Sequence, residues 1–356
     1  MRRLLLMIPT LIGVTAVVFF VMAFSPGGVG GAEANAGGEM DSRSREAQIE
    51  YINNRYGLDQ PKVVQYGRWL NRVSPIGFAS GAAGKVQWSK PQLLKWPDLG
   101  ESMSKRRPVT DLYGEALPIT LLLNVITTPV IYIAALGLGL YMAQHRGKAF
   151  DLLSGVTVLA LWSVPVMWVG VMLIGFFANR DFFYWFPVGG LSSSQAAAMP
   201  FLPSWDTQGV FVRGWLLDRM WHLVLPVICL TYASLAFLAK LTRGSMIETL
   251  NTDYVRTARA KGVSGTVVLF RHAFRNALLP LITVSASLLP GLLAGSVVVE
   301  MIFSIPGMGK LMLDGIFARD RELILAGTLI SGVLGLLSIL IADLGYAIAD
   351  PRVSYD

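Results

Sequence analysis

The sequence predicts an all-α integral membrane protein of about six transmembrane helices, and three observations carry that prediction. Of its 356 residues 53% are hydrophobic and only 15% charged, with a mean hydropathy of +0.54. A soluble domain carries about 25% charged residues, so this chain holds more apolar surface than a water-facing fold can hide. The apolar residues also gather into runs of about 20, the length an α-helix needs to cross about 30 Å of hydrocarbon. Finally, the excess of Lys and Arg over acidic residues falls in alternate connecting segments. The same composition excludes a disordered chain. A single cysteine, Cys229, excludes disulfide frameworks and cysteine-held clusters. The three histidines (His145, His222, His272) lie far apart and form no ligand pair at helical spacing.

The expected spans cover residues 4–24, 117–141, 152–177, 223–239, 277–303 and 323–347. The first follows Arg2-Arg3 and so also resembles a secretory signal. Its apolar run is longer than the 7–15 residues typical of a signal, and Ala32-Glu33-Ala34 lies well beyond it, so it reads as a retained span. Pro129, Pro165, Pro226, Pro290 and Gly291 interrupt later spans. Buried bundle helices accept such residues when neighbours re-satisfy the backbone, and kinks are expected there. With the N-terminus inside, segments 1–3, 144–151, 240–276 and 347–356 are cytoplasmic and hold 12 Lys/Arg against five acids. That excess sets both termini in the cytoplasm.

Between the spans, 25–116 reads as an external loop with short helices. Residues 27–38 are rich in Gly and Ala, the composition of a flexible linker. Helical spacing follows over 45–56 and again over 62–73, where Val63, Tyr66, Trp69, Leu70 and Val73 form one apolar stripe. Trp88 and Trp96 are expected at headgroup level. The domain organisation is thus a first span (1–24), the external loop (25–116) and a five-helix core (117–356). The core includes a cytoplasmic hairpin over 240–276. In it Asn251-Thr252-Asp253 offers caps, good helix formers follow to Lys261, and Gly262 ends the helix. After the break at 262–265, Val267, Phe270, Phe274 and Ala277 are expected on one face and Arg271 and Arg275 on another. Ordinary bundle connections run 2–8 residues, so a structured insertion of this size implies a docking partner; binding of anionic lipid by the basic face is the simpler alternative. Between the last two spans, Ile305-Pro306-Gly307-Met308-Gly309 is a turn, and Lys310 to Phe317 reads as a short amphipathic helix at the external mouth.

No catalytic constellation is present in the sequence. Gly309-Lys310 lacks the rest of a phosphate-binding loop, and neither His-Glu-x-x-His nor Gly-x-Ser-x-Gly occurs. Glu300 and Asp343 fall in the spans near their ends, where water is expected to reach them, and Asn124 is a buried amide in the second span. Asn124, Glu300, Pro306 and Gly307 are the candidates for a translocation path or gate. A proton- or sodium-coupled carrier places charges nearer the midplane, so the energy for any transport is expected from a partner. Without aromatic residues suited to base stacking, the basic hairpin implies no nucleic acid.

The stretch Tyr254-Val-Arg-Thr-Ala-Arg-Ala-Lys-Gly262, followed by Arg271-His-Ala-Phe-Arg-Asn-Ala-Leu-Leu-Pro280, resembles the coupling-loop signature of ABC importer permeases. It is most similar to the dipeptide/oligopeptide/nickel transport family. The general motif begins Glu-Ala-Ala; here Arg256, Thr257 and Ala258 stand in those places, and Gly262 is the motif glycine. Arg2 to Thr10, Tyr56-Gly57-Leu58-Asp59-Gln60-Pro61, Asp98 to Ser102, Arg107-Pro108-Val109, Glu300 to Gly309 and Asp350-Pro351-Arg352 continue the resemblance in order along the chain. It implies an ABC type I importer permease fold in the bacterial cytoplasmic (inner) membrane. It also implies a second related permease, two cytoplasmic ATPase subunits or domains, and an external substrate-binding protein. ATP and Mg would be used by the partners, with no cofactor or metal bound by this chain and no catalysis of its own. Tyr254, Arg256, Thr257, Ala258, Arg259, Lys261 and Gly262 are the implied ATPase-coupling residues. Peptides are the implied cargo. Nickel or another small solute is the alternative, though the spans carry no metal-ligand pattern; a self-contained secondary carrier and a membrane scaffold are remoter ones.

Overall fold

The computed structural model describes residues 2–25, 57, 59–80, 86–205, 209–282, 284 and 296–349. The expected flexible stretch 27–38, the helix over 45–56, residues 283 and 285–295 of the fifth span with Pro290 and Gly291, and Asp350-Pro351-Arg352 lie outside them. Two compact units emerge, one of 1–117 with 311–333 and one of 118–310 with 334–356.

In the first unit, α1 (Arg2–Phe24) is the expected first span. It packs on the short helix α2 (Lys62–Val73), whose bounds match the apolar stripe in the sequence. Phe19, Trp69, Val73 and Leu325 form their shared core. The Tyr66 hydroxyl donates to the Ile12 carbonyl at 2.8 Å. Val63, expected in the stripe, is exposed, while Gln65 and Asn71 are buried. Both amides earn their places by bonding: Gln65 Nε2 donates to the Gln60 carbonyl (2.8 Å), and Asn71 brackets Phe78 through its N–H and carbonyl (2.7 and 3.1 Å). An antiparallel hairpin, β1 (Gly77–Ser80) with β2 (Val86–Gln92), follows. Beyond it Lys95 bonds the Asn71 and Phe78 carbonyls, and burial lowers its pKa against the opposing charge of Asp98. Trp96 is 94% exposed, as an interfacial ring would be. A buried ionic group closes the unit: Glu322 pairs with Arg72 and Arg321, and Asp320 accepts from the hydroxyls of Ser102 (2.6 Å) and Ser104 (2.8 Å).

The second unit is helical. Helix α3 (Val109–Gln144), which begins in the first unit, runs 36 residues, about 54 Å at 1.5 Å per residue. Helix α6 (Gly214–Leu250) runs 37. Both exceed a bilayer's hydrocarbon, so each expected span is the middle of a longer helix. Their close approach is set by Gly139, where a Cβ would lie 2.5 Å from the Ala239 carbonyl oxygen. Between them the expected third span is broken. Helix α4 (Ala149–Ser163) and helix α5 (Val166–Leu173), with its π turn Ile174–Ala178, meet at 97°. The residue before a proline is driven out of the α region, and Val164 (ψ 127°) and Pro165 (ψ 139°) are both extended. The Tyr232 hydroxyl donates to the freed Val164 carbonyl at 2.6 Å, which keeps the break satisfied inside the apolar bundle. An open apolar groove of about 440 Å³ lies along the bend, lined by Trp168, Met172 and Phe176 among others. A two-strand pair, β3 (Ser204–Trp205) with β4 (Phe211–Val212), precedes α6.

After α6 come α7 (Asp253–Ala260) and a helical arm over 265–282 (α8). The short α9 (Val297–Ile302), α10 (Met308–Phe317) and α11 (Arg321–Ala349) complete the chain, α11 being the expected last span. Among the described residues four helices are long and apolar enough to cross a membrane, and the bent α4–α5 pair is long and apolar enough only when its two arms are taken together.

Candidate functional site

Helix α7 is built almost wholly from local signals. Thr252 holds the N-cap position with extended geometry (ψ 153°), its hydroxyl donating back to the Thr249 carbonyl (2.6 Å) rather than capping the helix, and Asp253 in the first turn complements the helix dipole. At the other end Gly262 adopts φ +78°. Its N–H bonds the Arg259 carbonyl (2.9 Å), while the Val263 N–H reaches back to Ala258 (3.2 Å). That paired closure is a Schellman stop, which needs a left-handed residue where glycine alone is unstrained. Val255 and Ala258 face inward against Val268, with Leu250 and Val263 around them.

The sequence-predicted coupling residues therefore divide cleanly. Tyr254, Arg256, Thr257, Arg259, Lys261 and Gly262 are exposed, and Ala258 is buried beneath them. The outer face is cationic, with Arg271 and Arg275 of α8 also exposed. Arg256 meets Asp253 at 3.5 Å, but both side chains are well exposed and such a pair holds little energy. Tyr254 bridges to the second arm, accepting from Asn276 Nδ2 at 2.8 Å.

The second arm departs from the expected register. It passes through a π turn over Val268–Phe274. Val267 and Phe270, expected on one face with Phe274 and Ala277, are 40% and 52% exposed, whereas Val268, Leu269, Ala273 and Ala277 are buried. Bonding to the fifth residue rather than the fourth widens the turn, so a face drawn at 3.6 residues per turn slips out of step. Leu269, Ala273 and Ala277 pack on Ala143 of α3 and Met246 of α6. Ser245 Oγ donates to the Ala277 carbonyl at 2.8 Å.

Two residues earlier on α6, Arg243 holds Asp151 of α4 through Nε (2.5 Å) and a terminal nitrogen (2.7 Å). Asp151 also accepts the Gly147 N–H at 2.9 Å. Sequence reading counted both residues only as charges. Their pairing joins positions 92 apart, and no local pattern announces it.

Around Glu300 the structure gathers Asn124 and Gly307, with Pro306 exposed beside them. The expectation that water reaches Glu300 is overturned: it is 1% exposed. Its carboxylate accepts from Thr120 Oγ1 (3.1 Å) and the Lys310 N–H (2.8 Å), with the Gly309 N–H as a further donor. Thr120 Oγ1 in turn accepts the Met308 N–H at 2.9 Å. Glu300 and Thr120 thus cap the otherwise unpartnered N–H groups that open α10. A Cβ at Gly307 would lie 2.5 Å from the Glu300 carboxyl carbon, so only glycine lets the turn close on the acid. Asn124 donates to the Thr120 carbonyl at 2.7 Å and lines a cavity of about 40 Å³ with Thr120, Ser296 and Glu300. Thr120, the hub of this clamp, carries no signal in the sequence beyond its place four residues before Asn124. Among the described residues no group of three or more His, Cys, Asp or Glu is placed to hold a metal.

Two family models match, consecutively and over nearly the full length. Residues 1–124 match the N-terminal model of the binding-protein-dependent transport system membrane component, and residues 135–355 match the binding-protein-dependent transport system inner membrane component. The chain belongs to this family. It is thus an ABC transporter permease, a multi-pass component of the inner membrane and not itself an enzyme, and it works in a system that includes a substrate-binding protein and an ATPase. Relatives agree along the whole chain. The oligopeptide transport system permease protein AppB of Bacillus subtilis is 36% identical over 99% of this chain and 98% of its own. The dipeptide transport system permease protein DppB of Alkalihalophilus pseudofirmus is 33% identical over 100% and 98%. The peptidoglycan transport system permease protein YejB of Agrobacterium fabrum is 30% identical over the same shares.

Proposed function

We propose that this permease carries di- and oligopeptides, delivered by an external binding protein, across the membrane under the drive of an ATPase that docks on α7. The observation that carries the reading is the hairpin itself. Its exposed residues, Tyr254, Arg256, Thr257, Arg259, Lys261 and Gly262, form one polar face. Behind that face, Ala258, the Asn276 bridge and the apolar packing of α8 join it to α3 and α6. A push on α7 then moves the ends of two long helices. Nucleotide binding biases one of two arrangements and release restores the other. The names of the relatives AppB and DppB favour peptides over nickel as cargo.

In this reading both termini and the hairpin 240–276 are cytoplasmic, 25–116 is external, and 117–356 forms the permease core. The assembly contains a second, related permease and two ATPase subunits or domains, which use the ATP and Mg. Asn124, Glu300, Pro306 and Gly307 lie at the external mouth. Glu300 sets its shape by holding α10.

The test is ATP-dependent uptake of labelled di- and oligopeptides into vesicles containing the complete set of subunits. A Gly262→Trp variant is compared, with nickel uptake as a parallel arm. The reading expects peptide uptake that needs the ATPase and is lost in Gly262→Trp while the complex stays assembled. Uptake persisting without the ATPase, or unimpaired in the variant, overturns it.

A further inference from the structure

The segment that leaves the π turn at 174–178 and runs into α6 carries several clusters of rings, a belt in sequence. Phe177 lies 5.6 Å from Phe183 and 5.7 Å from Trp185. Trp221 sits 4.5 Å from Phe186 and donates its Nε1 proton to the Trp185 carbonyl at 2.9 Å. Phe201 and Trp215 pair at 5.7 Å. Phe177 and Phe186 pack against the buried core and Trp215 and Trp221 are half-buried, but the other rings face outward. Phe182, Phe183, Tyr184 and Trp185 are each more than half exposed, and Trp205 is 72% exposed.

Three guanidinium groups lie over the belt: Arg180 on Tyr184 (5.5 Å), Arg213 on Trp221 (5.5 Å) and Arg219 on Trp215 (5.0 Å). Among the described residues none of the three has a carboxylate partner.

We propose that this belt is a phospholipid-binding collar, in which the rings lie at the boundary of hydrocarbon and headgroups and Arg180, Arg213 and Arg219 hold lipid phosphates. The belt runs from the end of α5 to the first turns of α6, just ahead of the apolar stretch expected in hydrocarbon from residue 223, which is headgroup depth for Arg219 and Trp221. Amphipathic rings concentrate at that depth. Arg is weakly hydrated and presents a planar fork suited to phosphate, and stacking on a ring leaves the edge N–H groups free to donate. Positive charge without an acidic partner supplies the complement to the phosphodiester. The collar fixes the depth of the bent α4–α5 pair, which lacks the length of a straight span to anchor it.

The test uses the full chain in nanodiscs of phosphatidylcholine and phosphatidylglycerol. A nitroxide is placed at Trp205→Cys in a Cys229→Ala background. The collar predicts a headgroup depth, read from oxygen and nickel-chelate accessibility, unchanged when the binding protein is added. A nitroxide in bulk water that is immobilised only by the binding protein would instead make this a protein-docking surface and overturn the proposal. Independently, the Arg180→Gln/Arg213→Gln/Arg219→Gln variant should bind phosphatidylglycerol more weakly, by about fivefold per charge removed. Retention equal to that of the parent chain also overturns it.

Discussion

The hairpin around α7 and the clamp around Glu300 use the same kinds of groups in opposite ways. On α7 the charged side chains point outward, and the helix is held by its own backbone caps and a few small apolar contacts. At the clamp the one charge is sealed at 1% exposure, and its oxygens accept from Thr120 and from the backbone N–H groups that start α10. A buried acid can be removed only by leaving its donors unsatisfied. An exposed cation can be removed with almost no effect on the fold. The difference teaches where to look for each role: the clamp serves the architecture, and the hairpin keeps its charge available to something outside the chain.

Substitutions sharpen or break that contrast. Glu300→Ala should lower the stability of the permease by about 3 kcal/mol, since the Thr120 hydroxyl and the N–H groups of Gly309 and Lys310 lose their acceptor. Thermal unfolding in detergent reads this directly, and an unchanged midpoint would remove the clamp's structural role. Gly307→Ala should follow at about 2 kcal/mol, because its Cβ would enter the space of the Glu300 carboxyl group. Gly262→Ala costs about 1 kcal/mol for forcing an L-residue to positive φ. Gly262→Asn is milder, since Asn tolerates that region. Asn276→Ala removes a bond at the surface and should shift stability by about 0.5 kcal/mol, yet lower peptide uptake per ATP hydrolysed. Arg256→Gln/Arg259→Gln should leave stability within about 0.5 kcal/mol and still reduce uptake severalfold. If that double variant unfolded the protein, the contrast between the regions would fail.

What the sequence made legible follows the range of the interactions. Helix α7 was readable nearly to the residue because Asp253 at its first turn and Gly262 at its stop are local signals that act within one turn, although the Thr252 hydroxyl turns back to Thr249. Helix α2 was readable in its bounds but not in its buried set. Gln65 and Asn71 are inside because of partners at Gln60 and Phe78, which apolar spacing does not register. The break at Pro165 was visible as a proline, but its 97° bend was not, nor was the bond by which Tyr232, 68 residues away, takes up the freed carbonyl. The register of α8 failed because a π turn has no composition of its own. Glu300 was recognised as a charge in a span, but its burial rests on Thr120, 180 residues earlier in the chain. The aromatic collar was missed because its rings are scattered over 176–221 and meet only in the folded chain.

The central claim is that the exposed face of α7 meets the ATPase, and site-directed crosslinking tests it most directly. A short thiol crosslinker is attached at Thr257→Cys, with Val255→Cys as the buried control, both in a Cys229→Ala background within the assembled complex. The account predicts a covalent product with the ATPase from position 257, changing in yield with nucleotide, and none from position 255. Reaction at 257 with lipid alone, or with no dependence on the ATPase, would contradict it.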